Sequence, residues 1–244
     1  MARRQQKKKS SHVLVLLVIG IAVLIVLLLG KRLLRVRRIQ VSGDYSVSDR
    51  EIIDRSGLWS GQSMFSVDPE KVGASFRNDG YLALEKVEVC WPDTVELTVR
   101  ERKAYACISY LGSLFLIDES CVVMEKLGEV PSDSLPRVTG MNVLGYAVGQ
   151  IIRSGVPGQV ETVQSVLHAL EQNGAMDLLY ELNVADRDDL YLITRGGMLV
   201  RLGDQSGMGD KVLWMKSVLA QLAAEEILKG SLDVSSGKSA IYAP

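Results

Sequence analysis

Histidine is almost absent from this chain. Its 244 residues hold two, His12 and His168, with three cysteines, Cys90, Cys107 and Cys121, and no C-x-x-C pair. A zinc site would therefore have to be built from carboxylates, a donor set that suits calcium or magnesium instead. The one acidic cluster, Asp186-Arg187-Asp188-Asp189, lacks the D-x-[DN]-x-[DN]-G spacing of a calcium loop and reads as a solvated turn. Three cysteines cannot all pair within one chain. A meander over 104–124 would set Cys107 and Cys121 two strand spacings apart, about 9.6 Å, beyond disulfide reach. Three small, buried, reduced thiols are expected, with one disulfide and a leftover thiol as the alternative. Nucleophilic chemistry lacks its parts as well. Gly61-Gln62-Ser63-Met64-Phe65 is missing the second glycine of G-x-S-x-G, and Cys90 has no histidine near it in sequence. Gly203–Lys211 has the wrong spacing for a phosphate loop and reads as a flexible loop before a helix. No catalytic, cofactor-binding or metal-binding residue is expected, and the chain does not read as an enzyme. Proline is also scarce, at 6, while 47% of residues are apolar, which excludes disorder throughout.

Acids are missing from the first 38 residues, which carry ten Lys/Arg; the remaining 206 residues hold 18 basic and 29 acidic side chains. So acidic a body argues against nucleic acid as a partner. The basic clusters flank Val13–Gly30, a run of 18 residues without a charge. As a helix it would span about 27 Å, close to the hydrocarbon thickness of a bilayer. A cleaved signal peptide would have a shorter apolar core and a small-x-small site, whereas Lys31-Arg32-Leu33-Leu34-Arg35 follows here. The sequence thus predicts a basic cytoplasmic tail over 1–11 and an uncleaved membrane span over 12–34. Five Lys/Arg stand on each side before Asp44, so charge counting alone does not orient it. The tail's α-amine, and the ease with which long domains translocate, favour the N-terminus inside.

Beyond the span the periodicities change twice. Val36, Ile39 and Val41 lead to a Gly43-Asp44 turn. Ser48-x-x-Glu51 is a capping box for a helix that Gly57 can end, and Asp68-Pro69 opens a second helix with Val72 and Phe76 on its apolar face. Two alternating strands follow around Trp91-Pro92-Asp93, read as a tight turn in which Trp91 covers the sheet. The order is β-α-α-β-β. From Ala104 onward apolar runs at 105–110, 114–117, 121–124, 178–184, 190–194 and 198–202 predict strands. Helical stripes stand at Val160, Val163, Val166, Leu167 and Leu170, and at Val212, Met215, Leu219 and Leu222. Residues 127–158, rich in Gly and Pro, read as long loops. The expected fold class is α+β, with a second domain built on an extended antiparallel sheet.

These residues also carry a resemblance. Val36-x-x-Ile39-x-Val41-x-Gly43, Ser48-x-x-Glu51-Ile52 and Gly61–Asp68 resemble the opening of a POTRA domain of the FtsQ/DivIB type. Val87-x-Val89-x-Trp91-Pro92-Asp93-Thr94-Val95-x-Leu97-x-Val99-x-Glu101-Arg102 is similar to that family's V-x-V…W-P-x-T…V-x-E-R stretch, with one residue fewer before the Trp. Leu135-Pro136-x-Val138-x-Gly140 and Arg201-Leu202-Gly203 match its second, β domain. Ala104-Tyr105-Ala106 stand where the family usually has Pro-Val-Ala. The resemblance implies a POTRA domain over 35–103 and a β domain over 104–244. It further implies a non-catalytic bitopic divisome protein with extracytoplasmic domains, which binds FtsL and DivIC/FtsB-type proteins at the septum and helps regulate septal peptidoglycan synthesis. An anchored envelope enzyme and a POTRA-based transport or assembly component stay open as alternatives. The resemblance places the partner site on the last strand, at Leu232, Val234, Ala240, Ile241 and Tyr242. A terminal strand at a sheet edge offers unpaired N–H and C=O groups to an incoming strand, and Tyr242 is the expected side-chain anchor.

Overall fold

A computed structural model describes residues 15–21, 34–128 and 135–244. Residues 15–21 are helical (α1) and exposed; the rest of the expected membrane span, with His12 and the basic tail, lies outside the described residues. Among the described residues no helix is long and apolar enough to cross a membrane.

The chain divides into two compact units, 1–76 with 84–100, and 77–83 with 101–244. The first contains the β-α-α-β-β order that the periodicities predict. Strand β1 (Arg38–Asp44) runs parallel to β3 (Thr94–Glu101), and β2 (Leu82–Cys90) completes a three-stranded sheet in the order β1-β3-β2. Helix α2 (Asp49–Ser56) starts where Ser48 Oγ accepts the Glu51 N–H at 3.3 Å, and it ends at Gly57, whose φ of 69° suits a residue without a Cβ. The second half of the capping box is not used, because Glu51 turns to Arg55 at 2.7 Å instead. Asp68 caps α3 (Pro69–Phe76) through the Glu70 N–H at 3.1 Å. Ile52, Val72 and Phe76 from the helices, with Val95, Leu97 and Val99 from β3, are buried. The sequence places 77–83 in the first domain, yet this segment clusters with the second unit.

In the second unit nine strands form one sheet in the order β14-β13-β12-β11-β10-β7-β4-β5-β6. They are β4 (Ala106–Tyr110), β5 (Ser113–Ile117), β6 (Val123–Leu127), β7 (Arg137–Thr139), β10 (Leu179–Asn183), β11 (Leu190–Thr194), β12 (Leu199–Gly203), β13 (Ser231–Asp233) and β14 (Ile241–Ala243). Helices α4 (Gln159–Gln172) and α5 (Met208–Ala224) pack against this sheet. Val163, Val166, Leu167 and Leu170 of α4 are fully buried, as the stripe predicts. Those four side chains contribute roughly 6–12 kcal/mol of hydrophobic stabilisation before entropy is counted.

Two expectations need correction. The sheet is mixed, not antiparallel: β7 runs parallel to both β4 and β10, and β13 runs parallel to β12. Nor is 127–158 only loop. It holds β7 and a small ladder of β8 (Val143–Gly145) with β9 (Arg153–Ser154). With only three residues, β7 has too short an alternation to show a period, but it joins the β4-β5-β6 meander to the β10–β14 half of the sheet. The excursion is tied down by Gln159, buried at the start of α4. Its amide donates to the carbonyls of Gly140 (3.0 Å) and Val184 (2.8 Å), and its oxygen accepts from Asn142 N (3.0 Å) and Ser154 Oγ (2.6 Å).

Candidate functional site

The sheet of the second unit has two edges, and they differ. Along β6, residues 149–151 run beside the strand's start: Val123 N donates to Gln150 O at 2.9 Å, Gly149 N to Val123 O at 2.8 Å, and Val122 bridges Ile151. Tyr81 hydrogen-bonds Glu125 on the same strand. At the other end β14 pairs only with β13, in the register Leu232↔Tyr242 and Asp233↔Ile241, and no described residue pairs with its outer side. An unpaired strand of this kind accepts another through main-chain hydrogen bonds.

A row of side chains prepares that edge. Tyr191, Arg201, Asp233 and Ile241 stand in register on β11, β12, β13 and β14. Arg201 donates to Asp189 at 2.6 Å and to Asp233 at 3.2 Å, and the Tyr191 hydroxyl donates to Asp189 at 2.6 Å. The hydrogen bond from Arg201, helped by that from Tyr191, holds the Asp189 carboxyl below its ordinary range, and bonding to Asp189 raises the Tyr191 hydroxyl. Desolvation pulls Asp233 upward, but hydrogen bonds from Ser235 and Arg201 outweigh it and keep that carboxyl low. The two acids thus remain ionised at neutral pH; Asp233 ties β12 to β13, and Asp189 ties β12 to the turn before β11. Asp186–Asp189, read as a solvated turn, joins β10 to β11 and supplies one end of this network. Among the described residues no group of His, Cys, Asp or Glu is placed to hold a metal.

The five residues expected to contact a partner separate into two kinds. Leu232 and Val234 are buried, at 1% and 0% exposure, inside the unit's own core and offer nothing to a partner. Ala240 and Tyr242 pack on the same core. Tyr242 is therefore an internal brace and not a free anchor: its hydroxyl donates to Lys229 O at 3.0 Å, and its ring lies over Gly230, where any Cβ would stand 2.7 Å from it. Ile241 alone projects outward, 68% exposed, as strand alternation demands once Ala240 and Tyr242 face in.

These observations meet the comparisons with known proteins. The description "POTRA domain, FtsQ-type" matches residues 34–102. The cell division protein FtsQ of Geobacter sp. is 28% identical over 78% of this chain and 69% of its own length; FtsQ of Anaeromyxobacter sp. is 27% identical over 79% and 65%. The cell division protein DivIB of Clostridium botulinum is 20% identical over 91% of this chain and 87% of its own length. Residues 34–102 thus carry an FtsQ-type POTRA domain, and the chain as a whole is similar to the FtsQ and DivIB cell division proteins. A solved extracytoplasmic domain of DivIB from Geobacillus stearothermophilus also matches, at 16% identity and a TM-score of 0.33, covering 51% of this chain and 97% of that one.

Other residues singled out in the sequence take quieter places in this chain. All three cysteines are free; Cys107 is on β4 and Cys121 in the turn before β6, on either side of β5. Burial pushes the Cys121 thiol up to about 12 and also raises Cys107. His168 lies exposed on α4 beside Gln172, 2.8 Å away. Trp91 does not cover the sheet as expected; it is 52% exposed and leans on Phe65, ring centroids 5.0 Å apart. The loop after β12 is not the loose segment its glycines suggest. Lys211, 2% exposed, donates to both the carbonyl and the carboxylate of Asp204 at 2.8 Å and closes it. A lysine inside an apolar helical stripe reads as solvent-facing, so the sequence carried no sign of this latch.

Proposed function

We propose that this protein is a non-catalytic, membrane-anchored scaffold of the divisome. Its N-terminus is cytoplasmic, and both folded units lie outside the cell membrane at the septum. The β14 edge receives a strand from a DivIC/FtsB-type bitopic protein, joined with an FtsL-type partner, and through that complex the protein helps regulate septal peptidoglycan synthesis. The supporting observation is the asymmetry of the sheet: residues 149–151 cover the start of β6 at one edge, while at the other no described residue pairs with the outer side of β14 and Ile241 is exposed. Main-chain pairing supplies affinity in this mode and the outward side chain supplies selectivity.

Co-purification of partners with tagged full-length protein from detergent-solubilised membranes tests the reading. Ile241→Pro removes a backbone donor from the edge, and a chain ending at Lys238 removes β14 while leaving Leu232 and Val234 in the core. Both should lose the coiled-coil partners while far-UV circular dichroism stays native. Capture of those partners at the parental level by the shortened chain would rule the β14 edge out.

A further inference from the structure

One end of the first unit gathers the point where the chain enters it, a loop and a turn. Residues 34–36 run alongside 61–64: Met64 N donates to Leu34 O at 3.0 Å, Val36 N to Gln62 O at 2.9 Å, and Gly61 N to Val36 O at 2.8 Å. The Arg35 guanidinium also donates to Gly61 O at 2.8 Å. The turn after β2 joins the same place, because Arg37 N donates to Asp93 O at 2.8 Å. Three large aromatics are exposed on these segments: Trp59 (63%), Phe65 (65%) and Trp91 (52%). Phe65 and Trp91 form one tilted pair. An exposed aromatic pair, with a third exposed indole on the loop that leads to Phe65, marks a contact surface. Around them Arg35, Arg37 and Arg38 are exposed, and the turn's acid, Asp93, is engaged by Arg38 at 3.5 Å and by the Thr94 hydroxyl at 3.1 Å.

The chain's length limits what can cover this surface. The apolar run ends at Gly30, and Leu34 is already hydrogen-bonded to the loop. Four residue steps reach at most about 14 Å. If the run spans a bilayer, the aromatic end of the first unit is held within that distance of the membrane face. Indole rings favour the headgroup level, where an apolar body and a polar N–H are both accommodated, and arginines nearby are drawn to anionic lipid. We propose that Trp59, Phe65 and Trp91, flanked by Arg35, Arg37 and Arg38, rest in the headgroup layer of an anionic bilayer and hold the first unit against the membrane. This rests on the membrane-anchor reading above. The occupant is lipid because the tether, the charge and the residue types all agree on it.

The test uses the full-length chain with Trp214→Phe, so that only Trp59 and Trp91 emit, reconstituted into phosphatidylcholine–phosphatidylglycerol vesicles. Lipids brominated near the headgroup should remove most of the emission, deeply brominated lipids less. Pure phosphatidylcholine vesicles and Arg37→Glu should both weaken the effect. Chains that float with the vesicles but lose no emission to brominated lipid, while acrylamide quenches them freely, would leave the anchor standing and overturn the proposal. Protection from acrylamide without bromine quenching would overturn it too, in favour of a protein occupant. Failure to float would remove the anchor and this proposal together.

Discussion

Asp118→Ala is expected to be among the most damaging single substitutions in the second unit. Arg102 and Asp118 both belong to that unit and form an ion pair at 2.6 Å, with side chains 13% and 1% exposed. The other oxygen of Asp118 accepts the N–H groups of Ser120 and Val122, each at 2.9 Å, and so shapes the turn between β5 and β6. Alanine would strand a buried guanidinium and leave both turn donors without their acceptor. Breaking a buried pair in this way costs about 3–5 kcal/mol. For a unit of this size that lowers the melting temperature by about 10 °C. Asp118→Asn would keep an oxygen for the turn but still leave the guanidinium uncompensated, so it should cost less than Asp118→Ala by the two turn bonds, about 1–2 kcal/mol. Arg102→Met paired with Asp118→Asn should recover part of the loss, because the uncompensated charge is then gone. Urea unfolding of the full-length chain carrying Trp59→Phe and Trp91→Phe, in mild detergent and followed through Trp214 emission, measures all three variants. If Asp118→Ala stays within about 0.5 kcal/mol of the parent, a value ordinary for surface substitutions, the pair does not hold the unit. If Asp118→Asn and Asp118→Ala fall equally, the charge and not the turn carries the effect.

Gln159→Ala should cost about 3 kcal/mol, because it deprives the buried Val184 carbonyl and the part-buried Gly140 carbonyl of their donor along with two further bonds; thermal melts check it. Asp204 is held down from 3.8 to about 2, first by the Lys211 hydrogen bond and then by Ser206. Its stabilising contribution is therefore complete above the unfolded value and disappears as the pH falls through about 2, and Asp204→Asn should flatten the stability profile between those limits in urea melts. A thiol reagent at neutral pH should label the half-exposed Cys90 alone in the native protein and all three cysteines in guanidinium, since Cys107 and Cys121 are buried; rapid native labelling of Cys121 would contradict its burial.

Much of the fold is legible in local pattern. The stripe on α4, the cap at Ser48, the Asp68-Pro69 start and the alternation of β3 are short-range signals, in which side-chain spacing and backbone geometry act within one turn or one strand. The β-α-α-β-β order follows from them without any knowledge of contacts, and so does the separation of Cys107 from Cys121. Strand β14 was legible in part: β-prone residues at the chain's end predicted it, and alternation alone could have told that Ile241 and Tyr242 face opposite ways.

What tertiary structure decided is which face is which and which edge is free. Leu232, Val234 and Tyr242 turn inward because α5 and the loop at Lys229–Gly230 lie on that side, and nothing in their own sequence names that neighbour. The three residues of β7 become the parallel centre of a nine-stranded sheet only because β4 and β10, about thirty and forty positions away, close on them. Lys211 is a latch and Gln159 a clamp for the same reason. A polar side chain's role is set by the partner brought to it in space, and such pairings between distant residues leave no period in the sequence.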